Sequence, residues 1–274
     1  MGGVSVAAVV EKGVVRPIPG HRMMDLIHRE EAEHTPISQL ASQMAVRHEE
    51  SAELLMPINT PEVWACGCTY APSADFRDAE TGTREGMYAY VYREARPEIF
   101  FKGTCRVCVG PNQPIGIRFD SKFTAPEPEL ALVLGSRGRI AGYTLANDVS
   151  AWDIERENAL YLPQSKVYQG CCALGPVIVT ADEIPDPYNL EMTCTIQRNG
   201  EEIFSGSTST SQMRRKFEDL ISYLLRANHV PSGTVLLTGT GIIVPESAAL
   251  QAGDIVTIRI PEIGELTNRA IVVE

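Results

Sequence analysis

The rhythm of apolar and polar positions changes near residue 60. Before that point, residues 4–15 form two short apolar runs separated by Lys12-Gly13, which predicts two strands around a turn. Pro17, Pro19 and Gly20 then break the chain, and residues 23–32 and 37–46 follow with helical spacing. Thr35-Pro36 suits the N-cap and first position of the second helix, because proline has no N–H to leave unpaired there. Beyond residue 60, short β-branched and aromatic runs alternate with Gly, Pro and Asp breaks, as at residues 115–119, 130–134, 177–180 and 255–260. Residues 193–198 and 201–204 flank Asn199-Gly200, a pair that takes the positive φ angles of a tight hairpin turn. One helix interrupts the strands. Phe217, Leu220, Ile221, Leu224 and Leu225 share a face, with Thr210 or Ser211 as the expected cap. The expected architecture is mixed α+β and β-rich: a small N-terminal α/β domain over residues 1–59 and a larger strand-rich domain over 60–274.

Composition narrows the function. The chain has 274 residues, 44% of them hydrophobic, enough for a sizeable core. Its formal charge of -11 opposes binding to a polyanion such as nucleic acid. The densest basic run, Met213-Arg214-Arg215-Lys216, reads as the start of a solvated helix face. No apolar run reaches the ~20 residues that span a bilayer, and the first residues lack the pattern of a signal peptide. Seven cysteines, an odd number in a chain this large, suggest reduced thiols and a cytoplasmic setting. Cys105 and Cys108 have no second pair at zinc-ribbon spacing, so most of the cysteines are expected to be small buried hydrophobes. His21, His28, His34 and His48 lack the i, i+4 spacing of a metal site on a helix and are expected at the surface.

The chemistry concentrates in carboxylates. Glu127-Pro128-Glu129 leads into the apolar run 130–134, and on a strand residues i and i+2 point to one side. Two neighbouring carboxylates repel unless a cation or proton intervenes. The segment between them and Asp148 reads as a turn and a returning strand, which would bring a third acid beside the pair. An all-oxygen trio suits a hard divalent cation. The plainer reading, solvated charges at a strand end, stays open on spacing alone.

Longer motifs carry a resemblance. Residues 126–135, then 141–150, resemble the metal-site core of the fumarylacetoacetate hydrolase superfamily. The similarity continues in order through Ala173-Leu174-Gly175-Pro176, residues 182–187, Gly239-Thr240-Gly241, Gly253-Asp254 and residues 263–268, and so covers about residues 60–274. It implies a β-sandwich roll, a homodimer, and Mg²⁺, Mn²⁺ or Ca²⁺ held by Glu127, Glu129 and Asp148. Residues 64–70, 96–102 and 161–168 are most similar to the branch of that family that dehydrates 2-keto-3-deoxy sugar acids. That likeness implies Lys166 and Glu98 as acid/base residues.

Such a site would take a small 2-oxo acid. A cation bound to its carboxylate and keto oxygens acidifies the neighbouring C–H, a base such as Lys166 removes the proton, and Glu98 protonates a departing hydroxide. In the plainer reading Lys166 only pairs with a metal carboxylate and Glu98 is a strand-edge charge. Gly239, Thr240 and Tyr70 are candidate contacts to substrate; the Thr238-Gly239-Thr240-Gly241 turn is otherwise purely structural. Two departures from the family pattern bear on the reaction. Hydrolase members often carry a His and a Glu on a lid just after a Gly-x-x-Tyr segment, whereas residues 67–77 contain no histidine and the only one beyond residue 48 is His229. Relatives usually place an arginine where this chain has Trp152; Trp152 itself, or Arg156, is then expected to meet the substrate. The expected activity is a metal-dependent lyase of sugar acid metabolism that dehydrates a 2-keto-3-deoxy acid. The alternatives are a hydrolase of acylpyruvate-type or fumarylacetoacetate-type C–C bonds, another 2-oxo-acid enzyme such as a decarboxylase or isomerase, and a non-catalytic oxo-acid-binding protein.

Overall fold

The computed structural model describes residues 5–46, 52–71 and 87–274. His48 and most of the segment expected to carry a lid, residues 72–86, lie outside the described residues.

The fold is mixed α+β and dominated by strands. The first hairpin is β1 (Ala8–Glu11) and β2 (Val14–Pro17), followed by α1 (Met23–Glu33) and α2 (Ile37–Met44). Pro36 occupies the N-cap of α2, one residue later than expected, and the Thr35 hydroxyl donates to the Glu33 carbonyl instead. Then come β3 (Val63–Gly67), α3 (Met87–Arg93), β4 (Glu98–Gly103), β5 (Cys108–Val109), β6 (Ile115–Arg118), β7 (Thr124–Ala125), β8 (Pro128–Leu134), β9 (Ile140–Asp148) and β10 (Ser150–Ala151). Two short helices follow, α4 (Trp152–Glu157) and α5 (Leu162–Lys166). The chain continues through β11 (Cys172–Thr180), β12 (Glu191–Arg198), β13 (Glu201–Ser209), α6 (Phe217–Leu224), β14 (Thr234–Leu237), β15 (Ile255–Ile260) and β16 (Gly264–Val273).

Seven strands form one sheet in the order β4-β3-β14-β8-β9-β11-β5, and five form another in the order β13-β12-β15-β16-β6. The parity of β8 explains its unbroken apolar run, since both of its faces are covered. Leu130, Leu132 and Leu134 share a core with Met192, Ile196, Val256, Ile258 and the apolar face of α6. Ala131 and Val133 share the other core with Val63, Val235 and, from the N-terminal segment, Ile18, Leu26, Ile27 and Ile37.

The Asn199-Gly200 hairpin forms with both residues at positive φ. The helix near residue 217 starts later than its expected caps allow: Lys216 is its N-cap, while Thr210 and Ser211 belong to a separate short turn capped by Ser209. The basic run before α6 is solvated only in part, at Arg214 and Lys216. Arg215 is buried and donates to the carbonyls of Val91, Glu94 and Ala95, so it clamps the segment that follows α3. Five cysteines are buried; Cys105 is exposed and Cys108 half-buried.

Candidate active site

Strand pairing assembles the carboxylates. β8 and β9 run antiparallel with Pro128 opposite Asn147 and Glu129 opposite Ala146, so Asp148 returns to the level of Glu127. Backbone and side chain secure that return. The Asp148 amide donates to the Glu127 carbonyl at 2.9 Å, and the Asn147 side chain accepts from the Glu127 amide at 3.1 Å. Glu127, Glu129 and Asp148 are all buried, and one oxygen from each lies within 4.8 Å of the others.

Each carboxylate is held by a donor, which fixes its orientation. The Trp152 indole N–H donates to Glu127 at 2.6 Å. The Gly239 amide donates to Glu129. Gly239 has φ +92, and a side chain there would collide with the Thr69 hydroxyl, so only glycine turns the chain tightly enough to aim that amide. Lys102 pairs with Asp148 at 2.5 Å and donates to the Val149 carbonyl. Trp152 and Gly239, expected to contact substrate, therefore spend these donors on the metal carboxylates.

Lys166 is fully buried at the end of α5. Its ammonium donates to Glu127 at 2.9 Å, Asp148 at 3.2 Å and the Ser150 hydroxyl at 2.6 Å, and lies 3.9 Å from Glu155. Pairing with the metal carboxylates, the plainer expectation for this lysine, is thus present in the structure. Burial, together with the charges of Asp148 and Glu127, pushes the Glu129 carboxyl well above the ordinary range. For Lys102 burial acts downward, but Asp148 beside it outweighs this and the ammonium is held above the ordinary lysine range. Three carboxylates facing two ammonium groups leave uncompensated negative charge, and all the donors are oxygen. That set fits a hard divalent cation.

Glu155, 3.9 Å from Lys166, also lines a cavity of about 450 Å³ together with Tyr88, Arg96, Glu98 and Leu162 among others. Glu98 stands at the start of β4 and accepts from the Cys68 thiol at 3.4 Å. A side chain at Gly67 would strike the Glu98 carboxylate, so glycine there leaves room for it against β3. Glu155, on α4, is buried and accepts from the Ser165 hydroxyl at 3.4 Å. Tyr70 is buried close to Glu129, and burial followed by that charge raises the pKa of its phenol. Its hydroxyl has no hydrogen-bond partner among the described residues. Thr240 is engaged within its own turn through Ile242. Arg156 lies over the Phe123 and Trp152 rings and reaches Glu246 at 3.7 Å. His229 is exposed after α6.

Sequence reasoning missed Lys102, Glu155 and Ser150. Lys102 had one usable signal: it alternates with Phe100 on a strand whose neighbours are apolar.

Comparison with known proteins agrees with this geometry. The family described as fumarylacetoacetate (FAA) hydrolase C-terminal matches residues 80–271. The chain is 51% identical over 213 residues to a 2-dehydro-3-deoxy-D-arabinonate dehydratase of Saccharolobus solfataricus, covering 77% of this chain and 72% of that one. It is 48% identical, over 78% of this chain and 73% of the relative, to a probable 2-keto-3-deoxyxylonate dehydratase of Haloferax volcanii. Among solved structures, 2-keto-3-deoxy-D-arabinonate dehydratase complexed with magnesium and 2,5-dioxopentanoate superposes with a TM-score of 0.83 at 40% identity, over 97% of this chain and 95% of that one.

Proposed function

The chain belongs to the fumarylacetoacetate hydrolase family, and on that premise we propose that it is a divalent-metal-dependent hydro-lyase that removes water from a 2-keto-3-deoxy sugar acid. Supporting this reading are the two dehydratase relatives and the magnesium-bound structural neighbour. The observation that carries it is Lys166, set among three buried carboxylates and facing Glu155 on the wall of a cavity that also holds Glu98. Glu127, Glu129 and Asp148 hold the cation, Mg²⁺ in the first instance. When bound, it draws charge from the carbonyl of a 2-oxo acid and acidifies the adjacent C–H.

The protein's own groups then do the following. The Tyr70 hydroxyl, buried beside Glu129, is the donor available to the acid's carboxylate. Thr240 shapes the turn that presents the Gly239 amide, and Arg156 packs Trp152 in place against Glu127. Lys166, which the bound divalent cation would relieve of balancing Glu127 and Asp148 and so let give up its proton, takes a proton from C3. Glu98 gives a proton to the hydroxyl leaving C4. The C3–H and C4–O bonds break, a C3–C4 double bond forms, and water departs. Residues 60–274 carry this chemistry, with Ile18, Leu26, Ile27, Ile37 and Ile58 of the N-terminal segment covering one face of the main sheet. The family resemblance further supports a homodimer, and seven free cysteines support a cytoplasmic setting. Exposed His229 and the absence of histidine from residues 49–228 favour elimination over a histidine-driven C–C hydrolysis.

The test is to incubate the protein with Mg²⁺ and a panel of 2-keto-3-deoxy acids and acylpyruvates, and follow products by mass. The expected result is loss of one water from a 2-keto-3-deoxy acid, abolished in Lys166→Ala. Pyruvate release from an acylpyruvate would place the enzyme with the hydrolases, and binding without turnover across the panel would leave only an oxo-acid-binding protein.

A further inference from the structure

The hydrogen bonds of the Lys166 ammonium are of two kinds. Glu127, at 2.9 Å, and Asp148, at 3.2 Å, are charged and belong to the trio that fits a divalent cation. The Ser150 hydroxyl, at 2.6 Å, is uncharged and stands outside that trio. A cation on the trio draws on the same carboxylates and competes with Lys166 for them, but it leaves Ser150 to the lysine.

The surroundings of Ser150 make it an acceptor. It is fully buried on β10, where pairing with Ala125 of β7 fixes its backbone. A serine hydroxyl has one proton to give. Ser150 gives it to Asp148, whose backbone carbonyl lies at 2.9 Å and one side-chain oxygen at 3.4 Å. A carbonyl cannot donate, so towards Lys166 the Ser150 oxygen only accepts. An amine that removes a proton from carbon needs its lone pair free, and a hydroxyl donating to the nitrogen would occupy it. Ser150 instead holds one N–H and leaves the lone pair to the substrate. The lysine backbone is fixed as the last residue of α5, so this contact sets the direction of an otherwise flexible stem.

We propose that Ser150 is a positioning residue that holds the Lys166 nitrogen for proton removal at C3 once Glu127 and Asp148 are given over to the cation. This role presupposes Lys166 as the base of the proposed reaction. Misplacing a catalytic group by about 1 Å costs up to about 100-fold in rate, so loss of this contact is expected to cost about 10- to 100-fold.

Pyruvate isolates this step, since it has C3–H bonds and no leaving group. In D₂O with Mg²⁺, a C3–H bond breaks, the proton passes to Lys166 and on to solvent, and a deuteron returns to carbon; NMR follows the exchange. Ser150→Ala is expected to slow this exchange about 10- to 100-fold, and kcat for water loss from a 2-keto-3-deoxy acid alike. KM and the calorimetric Mg²⁺ affinity are expected to stay within about threefold of wild type. Ser150→Thr, which keeps the hydroxyl, is expected to stay within about threefold in every measurement. Exchange and kcat in Ser150→Ala within about twofold of wild type overturn the proposal, as does a Ser150→Thr protein as slow as Ser150→Ala. A loss of about tenfold in Mg²⁺ affinity in Ser150→Ala also overturns it, because the serine would then act through Asp148. Wild-type exchange that Ser150→Ala slows, without water loss from any 3-deoxy acid, sinks the dehydration and keeps the serine's role. Water loss that Ser150→Ala leaves unchanged does the reverse, and neither exchange nor water loss in the wild type sinks both.

Discussion

Replacing Lys102 with methionine probes the electrostatics that tie the fold to the metal. Lys102 is fully buried on β4, 2.5 Å from Asp148, and donates to the Val149 carbonyl. Methionine keeps most of the side-chain volume and removes the charge. Breaking a buried pair from one side costs about 3–5 kcal/mol, because the remaining charge is left uncompensated. Asp148 retains Lys166 at 3.2 Å, so the lower end, about 3 kcal/mol, is expected. For a chain of this length that lowers the melting temperature by roughly 6–12 °C. The figure applies to the metal-free protein in EDTA. With saturating Mg²⁺ the cation supplies positive charge beside Asp148, and its binding stabilises the native state by mass action. The variant should therefore gain more from Mg²⁺ than the wild type does. Paired thermal melts in EDTA and in Mg²⁺ measure both quantities. A variant that melts within 2 °C of wild type in EDTA, or that gains less from Mg²⁺, would contradict a Lys102–Asp148 pair coupled to the metal site.

The other predictions follow the donors around the site. Trp152→Phe keeps an aromatic ring against Phe123 but loses the N–H that holds Glu127, and Mg²⁺ affinity by calorimetry should fall about 10- to 100-fold; unchanged affinity would remove Trp152 from the metal site. Arg215→Met strips the clamp from three carbonyls at residues 91–95, so hydrogen exchange should quicken across 91–98, with about 2 kcal/mol lost in stability; protection equal to wild type contradicts it. Glu129 has a raised folded-state pKa, so its contribution is fully present below its unfolded value of about 4.3 and is lost as pH rises through the folded value. Stabilisation by Mg²⁺, read as the gap between melts with and without EDTA, should widen over that rise and should do so less in Glu129→Gln; a gap independent of pH counts against the assignment.

How far the sequence reaches can be judged residue by residue. Glu127, Glu129 and Asp148 could be placed together because strand parity and one tight return are local properties, and β8 and β9 follow them. The α6 face and the Asn199-Gly200 hairpin were readable for the same reason. Lys102 was not, since its partner lies 46 residues away and a lysine on a strand looks like an edge charge until the sheet order is known. Arg215 misled similarly: a basic tripeptide before a helix reads as solvated, and only tertiary packing sets it under the carbonyls after α3. Trp152 departs from the family pattern and reads as a substrate contact, but the indole N–H is aimed at Glu127, a direction that depends on how α4 leaves β10.

The carboxylate trio is expected to hold one metal ion on which dehydration depends. Stripped protein should be titrated with Mg²⁺ while bound metal and release of water from a 2-keto-3-deoxy acid are followed together. Turnover should rise in proportion to occupancy and saturate at one ion per chain, with both signals lost in Glu129→Gln and Asp148→Asn. Full turnover in EDTA, or undiminished binding in those two variants, would contradict the account.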